Sequence, residues 1–270
     1  MTIVILDRLP GGPQRYQDWL DDSGADLVLL TAQEATGVDA RGYASVRPLP
    51  DYATSFEVER AVLALAKRTR ITHLVAVAAA DLVRAGALRD HLGLPGQCRR
   101  DALPFADPLA TREVLRRAGV PTVPGGPVSR VSDLYWYAHQ WGYPVRIRQR
   151  NEPGWPTVAE LTNEADVRYY TRGGVAERIE LTPSLLAEPL LPDAERVGVR
   201  AGVAADPEQS AVAAAAIGAL PALPGHPYLV ALVRRDGGWV VDSVSCDRLR
   251  PDEHRAAVRA QAGLTGEVDH

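Results

Sequence analysis

Short apolar runs alternate with helical segments in the first hundred residues, and this alternation constrains the fold more than any other feature. Thr2–Leu6, Asp26–Leu30 and His73–Val77 are apolar runs of the kind found in strands that are buried on both faces. Ser55–Arg68 and Asp81–Leu92 carry apolar residues at helical spacing. Strands and helices in this order predict an open parallel sheet covered by helices, which we place at residues 1–98.

The remaining residues mix helices with short strands. Asp107–Ala118 has helical spacing, and Val120–Val123 is interpreted as a short strand, with prolines at 121 and 124. Tyr228–Val244 predicts a hairpin, because two apolar runs flank an Asp-Gly-Gly turn. These patterns predict two α+β subdomains, at residues 99–190 and 191–270.

The composition excludes several classes of protein. A chain with 46% hydrophobic and 24% charged residues is ordinary for a globular protein, so wholesale disorder is ruled out. A formal charge of −4 argues against nucleic acid or an anionic membrane as the main partner. The two cysteines cannot form a disulfide framework, and no apolar run approaches the roughly 20 residues of a membrane span. We therefore expect a reduced cytoplasmic protein without a signal peptide.

Three segments, in this order, carry a family resemblance. Leu88–Gly96 is a helix that closes in a Gly-Leu-Pro-Gly turn, and Ala110–Pro121 is a helix that ends in Ala-Gly-Val-Pro. Gly142–Arg148 begins with Gly-Tyr-Pro and continues as a strand, with Val145 and Ile147 expected to face inward and Arg146 and Arg148 outward. In this order the segments resemble the ATP-grasp ligases, most of all the amino-acid and dipeptide ligases. The resemblance covers about residues 1–250.

The resemblance implies a fold and a reaction. The implied fold is α/β, with an N-terminal open parallel sheet followed by two α+β subdomains that have a cleft between them. The C-terminal subdomain is shorter here than is usual in the family. The implied reaction phosphorylates a carboxylate to an acylphosphate, from which an amine displaces phosphate. ATP and Mg²⁺ are the implied cofactors, and a small carboxylate and an amine are the implied substrates.

The same resemblance implies roles for five residues. Arg148 ends the strand whose last residue reaches the nucleotide phosphates, and Arg112 lies one turn along the opening helix. Glu188 and Glu195 lie in segments that contact adenine and ribose in the family. Asp242 lies on the second strand of the hairpin that carries the magnesium carboxylates. For each of them the structural alternative is a solvated charge on a strand or hairpin.

The sequence departs from the family pattern where the phosphates would bind. The family has lysine at the position of Arg148, whereas this chain has a single lysine among 30 basic residues. Asp107-Pro108 replaces an Asp-Lys pair, and Arg112 is the nearest substitute cation. Arginine donates to phosphate in a planar fork, so nucleotide binding is compatible with these changes. Residues 151–156 replace a glycine-rich lid with one glycine, two prolines and an acidic residue, which is a poor phosphate cradle.

The expected magnesium site departs further from the family. Leu229–Val233 contains no carboxylate, although the family has its first one on this strand. The following strand offers Asp242, and Asp247 beyond it, in place of the usual Glu-x-Asn-x-Arg. Because Mg²⁺ prefers carboxylate oxygens, the sequence predicts a weak metal site or none.

Two hypotheses about function follow. The favoured one is a degenerate ATP-grasp-fold protein, non-catalytic or only nucleotide-binding, which acts as an accessory protein through a protein partner or a second copy. It rests on the combined changes at the lysines, the lid and the carboxylates. The alternative is an active biosynthetic carboxylate–amine ligase, with Arg148 and Arg112 as phosphate cations and Asp242 as a metal ligand. The sequence also leaves open whether another chain completes the short C-terminal subdomain.

Overall fold

The chain divides into two compact units, each built from residues that are far apart in sequence. The computed structural model describes residues 1–8, 14–32, 39–150, 155–172, 184–200, 206–221, 226–246 and 250–264. The first unit comprises the described residues of 1–103, 221–227 and 246–270, and the second comprises those of 104–220 and 228–245. The domain boundaries at residues 98 and 190 stay a prediction.

A four-stranded parallel sheet forms the centre of the first unit. Its order is β3-β2-β1-β4, which confirms the parallel sheet predicted from the sequence. The strands are β1 (Thr2–Asp7), β2 (Asp26–Ala32), β3 (Ser45–Leu49) and β4 (Ile71–Ala76). The helices of this unit are α1 (Tyr16–Trp19), α2 (Glu57–Ala66), α3 (Leu82–Leu92), α4 (Arg99–Ala102) and α9 (Pro251–Gln261).

Both faces of β1 are buried, as its uninterrupted apolar run predicts. Val4 and Leu6 pack on one face in a cluster that includes residues of α2 and α3. Ile3 and Ile5 pack on the other face with residues of α1 and α9. The C-terminal helix α9 thus completes the core of the N-terminal sheet, and burial of this apolar surface stabilises both.

Two further sheets, in which the strands run antiparallel, form the second unit. Their orders are β5-β8-β6-β7 and β11-β10-β9. The strands are β5 (Gly126–Val128), β6 (Val145–Gln149), β7 (Thr157–Leu161), β8 (Leu185–Pro189), β9 (Arg196–Arg200), β10 (Tyr228–Arg235) and β11 (Gly238–Cys246). The helices are α5 (Pro108–Arg117), α6 (Val131–Trp141), α7 (Glu164–Tyr170) and α8 (Pro207–Ala219). The hairpin expected around the Asp-Gly-Gly turn is confirmed as β10 and β11.

The predicted strand at Val120–Val123 is wrong. Only Thr122 forms a bridge there, with Val241. Prolines at 121 and 124 remove backbone donors, so a ladder cannot extend on either side. The strand of this region is instead β5, which has only three residues and is too short for its periodicity to be visible in the sequence. None of the described helices is long and apolar enough to cross a membrane.

Candidate functional site

Glu188 on β8 is the centre of a buried ion cluster in the second unit. Its side chain is 0% exposed and binds three guanidinium groups. Arg112 of α5 donates from Nη2 to Oε2. Arg146 of β6 donates from Nε to Oε1 at 2.8 Å and also from Nη2. Arg148 Nη1 donates to the same Oε1 at 3.2 Å. We call these four side chains the arginine cluster.

The antiparallel register of β6 and β8 brings the cluster together. Arg146 lies directly opposite Glu188, and Arg148 follows on the same face of the strand. Val145 and Ile147 alternate onto the other face, where both are buried. The sequence predicted this alternation but placed the arginines on an outward face. The structure corrects that point, because the two arginine side chains are only 18% and 15% exposed.

The charges of the cluster favour an ionised Glu188. Burial raises the pKa of this carboxyl, but the charges of Arg112, Arg146 and Arg148 outweigh burial and hold the pKa below its usual range. Within the described ranges no second carboxylate lies at ion-pair distance from Arg112 or Arg146. The two positive charges of these guanidinium groups already exceed the single negative charge of Glu188, so the cluster carries a net positive charge.

Arg112 has unused hydrogen-bonding capacity. The residue is 8% exposed, and its Nε and Nη1 atoms have no hydrogen-bond partner in the part of the chain that the structure describes. Nη1 lies against Gly125, where a Cβ would overlap it, so the glycine makes room for the guanidinium. A buried donor without an acceptor costs about 1–3 kcal/mol. A ligand or a water molecule that supplied an acceptor here would remove this cost.

A small cavity adjoins Arg112. Its volume is about 10 Å³, which is room for about one water molecule. Thr111, Trp155, Asp242 and Ser243 contribute to its lining. Arg112 and Asp242 thus border the same cavity, although they lie far apart in the sequence.

Arg150 continues the row of arginines just beyond β6. It binds Asp107, with Nε donating to Oδ1 at 3.1 Å and Nη2 donating to Oδ2. Asp107 also caps α5, because Oδ1 accepts from the Leu109 N–H at 3.0 Å. The aspartate that stands where the family has Asp-Lys therefore fixes the start of α5 to the end of β6.

Arg148 also holds the end of the segment that resembles the family's lid. Its Nε donates to the Trp155 carbonyl oxygen at 2.6 Å, and its guanidinium carbon lies 5.8 Å from the centroid of the Trp155 ring system. Residues 151–154 of the expected lid, which include Glu152, lie outside the described residues. Trp155 is thereby tied to the arginine cluster.

The structure brings together three of the five residues that the sequence selected: Arg112, Arg148 and Glu188. Asp242 lies apart from their ion pairs and is partly exposed beside the cavity. Glu195 is exposed just before β9, where its carbonyl oxygen pairs with the backbone of β10. The roles in binding adenine, ribose, phosphate and metal stay predictions for all five.

Sequence reasoning missed Arg146 and Arg150 as members of the site. The signal was present, because Arg146, Arg148 and Arg150 recur at every second residue and so share one face of a strand. Their partners were not visible, because Glu188 and Asp107 reach them only through the folding of distant segments.

The described residues contain no ready-made site for a magnesium ion. They contain no group of three His, Cys, Asp or Glu side chains placed to hold a metal. β10 has no carboxylate in its sequence, so Asp242 of β11 faces no acidic partner from that strand. Asp247, the other carboxylate considered from the sequence, lies outside the described residues. We therefore derive no chemistry through a metal ion.

Comparison with known proteins identifies the fold. The biotin carboxylase domain of the Hydrogenobacter thermophilus 2-oxoglutarate carboxylase, solved with MgADP and bicarbonate, matches with a TM-score of 0.71 and 16% identity, over 99% of this chain and 70% of that chain. The Staphylococcus aureus N5-carboxyaminoimidazole synthetase with ADP matches at 0.64 and 15%, over 98% and 78%. The L-amino acid ligase of Bacillus licheniformis matches at 0.61 and 14%, over 96% and 70%.

These solved structures are ATP-grasp enzymes, and the chain has the ATP-grasp fold. No protein-family profile matches the sequence, and no curated protein sequence matches it significantly. At this level of identity the likeness establishes the architecture, and function has to be argued from the site.

Proposed function

We propose that the chain is a non-catalytic ATP-grasp-fold protein that binds a nucleotide, or a similarly phosphorylated ligand, at the arginine cluster and serves as an accessory protein. The observation that carries the proposal is the buried Arg112 guanidinium, whose Nε and Nη1 lack an acceptor among the described residues. A phosphate group offers several strong acceptor oxygens together with negative charge. Arg112 and Arg148 are the side chains that would hold it, and the lining of the cavity of about 10 Å³ beside Arg112 would have to open to admit it.

The lack of a set of metal ligands among the described residues supports binding without turnover. Phosphoryl transfer depends on cations aimed at charge that develops in the transition state, and in most such enzymes on Mg²⁺. Here Arg146 and Arg148 are held by Glu188, and the described residues offer no set of metal ligands. Without a metal ion, less of the charge that develops in the transition state would be neutralised, so the site would gain affinity but little rate.

The structural neighbours support the choice of ligand by analogy. One of them was solved as a dimer with MgADP, and another was solved with ADP. These statements belong to those proteins. For this chain the nucleotide, and a second copy or another protein as its partner, are parts of the proposal.

Release of ADP tests the proposed lack of turnover. The purified chain is incubated with ATP, Mg²⁺ and pairs of amino acids, and we expect ADP to form no faster than without the protein. Sustained ADP release that needs both an acid and an amine would overturn the proposal. Arg148→Ala is the matched control, because release by a contaminating ATPase survives this change and release at the arginine cluster does not.

An active carboxylate–amine ligase is the second candidate, and one observation favours it. Asp242 borders the same cavity as Arg112, so one carboxylate lines the space beside the proposed phosphate cation. In that case Asp242→Asn would abolish ADP release. Asp236→Asn would leave it unchanged, because the Asp236 side chain is 89% exposed in the hairpin turn.

A further inference from the structure

A cavity of about 390 Å³ in the first unit is lined by residues that the proposed function does not use. It lies against β4 and α9. Its polar lining comprises His73, Arg89, Gln97, Asp101 and Gln261. The volume falls within the roughly 300–1,000 Å³ that is typical of small-molecule sites.

Arg89 brings a buried positive charge to this cavity. The residue is 3% exposed. Its guanidinium donates to the Leu74 carbonyl oxygen at 3.2 and 2.7 Å, to Gln261 Oε1 at 2.9 Å and to the Gln97 carbonyl oxygen at 3.1 Å. All of these acceptors are uncharged, and the residues that the structure describes place no carboxylate at ion-pair distance.

A buried charge with only neutral partners is unfavourable, and it favours the binding of an anion. Burial lowers the pKa of Arg89 to about 10, so the group still carries its proton at neutral pH. An arginine has five N–H groups, and four of those of Arg89 are used in the bonds above. One N–H therefore remains for a ligand.

Two glycines keep the basic side of the cavity open. A Cβ on Gly96 would lie 3.0 Å from Arg89 Nε, and a Cβ on Gly263 would lie 2.8 Å from His73 Nε2. Both glycines have positive φ, at 114° and 75°, which other residues rarely adopt. The backbone at these positions thus suits glycine, and the absence of a Cβ leaves room for the Arg89 and His73 side chains.

The same cavity also contains acceptors. Gln97 Nε2 donates to the Asp101 carbonyl oxygen at 3.3 Å, which leaves Gln97 Oε1 buried and without a partner among the described residues. The Asp101 carboxylate pairs with Arg100 at 3.4 Å, and the Arg100 side chain is 90% exposed. An exposed pair of this kind is weak and leaves the carboxylate accessible to a ligand.

We propose that this cavity binds a free amino acid, with the carboxylate of the ligand on Arg89 and His73 and its ammonium group on Gln97 Oε1 and Asp101. A dianion such as phosphate would be repelled by Asp101, and a simple amine would be repelled by Arg89. A zwitterion offers an oppositely charged group to both Arg89 and Asp101, and its carboxylate supplies the counter-charge that Arg89 lacks. The proposal concerns the first unit alone and is independent of nucleotide binding in the second.

Thermal unfolding of the full chain, measured with each common amino acid at millimolar concentration, tests the proposal. We expect at least one amino acid to raise the unfolding temperature, since a ligand that binds only the folded state stabilises it. Acetate and methylamine at the same concentration should have no such effect. The proposal is overturned if no amino acid stabilises the chain, or if acetate or methylamine does so as strongly as the best amino acid.

Substitution of Asp101 locates the site. Asp101→Asn should weaken calorimetric binding of the stabilising amino acid by about tenfold or more, because it removes the partner of the ammonium group. Asp26→Asn makes the same change at an exposed position in the same unit and should leave binding unchanged. Arg89 also holds β4, so substitution of Arg89 would test folding as well as binding. Gln97→Leu therefore serves as the second variant. Unchanged affinity in both Asp101→Asn and Gln97→Leu would contradict the assignment.

Discussion

Glu188 is the residue on which the arrangement of the arginines depends. Its two oxygens accept hydrogen bonds from three guanidinium groups that come from a helix and a neighbouring strand. Without that carboxylate the arginines would repel one another in a space that is largely closed to water. The stability of the second unit and the shape of its cationic site are therefore coupled at one side chain.

Glu188→Gln should destabilise the chain by about 3–5 kcal/mol, because it leaves buried charges uncompensated. The measurement is urea-induced unfolding. The structure predicts in addition that inorganic phosphate restores part of the lost stability, since an added anion can replace the missing carboxylate.

Glu195→Gln is the matched control for this substitution. Glu195 lies in the same unit and is exposed, so the same chemical change should alter the free energy of unfolding by less than about 0.5 kcal/mol. Equal effects of the two substitutions would contradict the importance of the Glu188 ion pairs.

At the scale of the element, β6 shows what the sequence could and could not predict. The alternation of Val145 and Ile147 with Arg146 and Arg148 predicted both the strand and its two faces. It could not predict that the basic face is covered, because the covering partner Glu188 comes from β8, which is far away in sequence. Local periodicity reports the conformation of a segment, whereas strand pairing depends on the whole chain.

Asp107 joins two elements, and its substitution separates its two roles. Asp107→Asn keeps an N-cap acceptor for α5 but removes the charge that pairs with Arg150. Asp107→Ala removes both. We expect the free energy of unfolding, measured in urea, to be about 1 kcal/mol lower for the alanine variant than for the asparagine variant. Equal stabilities would show that the cap contributes nothing.

At the scale of the whole molecule, the sequence predicted the parallel sheet and one hairpin but not the path of the chain. The open parallel sheet followed from uninterrupted apolar strands that alternate with helices. The packing of α9 in the N-terminal unit did not follow, because an amphipathic helix shows which face it buries but not the surface that receives it. The resemblance to ATP-grasp ligases predicted the fold correctly, and the solved structures confirm it.

The packing of α9 in the first unit makes the stability of that unit dependent on pH. His254 on this helix is 6% exposed and packs against the rings of Tyr16 and Trp19. Burial, and then the neighbouring His226, lowers the pKa of His254 to about 4. An unfolded histidine has a pKa of about 6.5, so the unfolded chain binds the proton more tightly. The contribution of neutral His254 is complete above about pH 6.5 and is lost as the pH falls towards about 4.

Urea unfolding at about pH 7 and about pH 4.5 measures this effect. His254→Phe keeps an aromatic ring and does not titrate. Between the two pH values its free energy of unfolding should therefore fall by less than that of the wild-type chain, and the difference should be up to about 3 kcal/mol. Asp81, whose pKa burial raises to about 6, acts in the opposite direction in both proteins and cancels in the comparison. Equal losses in both proteins would contradict the assignment to His254.

Calorimetric titration of the full chain with ATP, with and without Mg²⁺, tests the central claim most directly. The arginine cluster should bind ATP in both conditions with similar affinity, since the described residues offer cations but no group of three metal-ligating side chains. Arg148→Ala should weaken that binding about tenfold or more, in line with the loss of a charge-assisted hydrogen bond. Binding that appears only with Mg²⁺ would contradict the account in favour of an active ligase, and no binding in either condition would contradict it altogether.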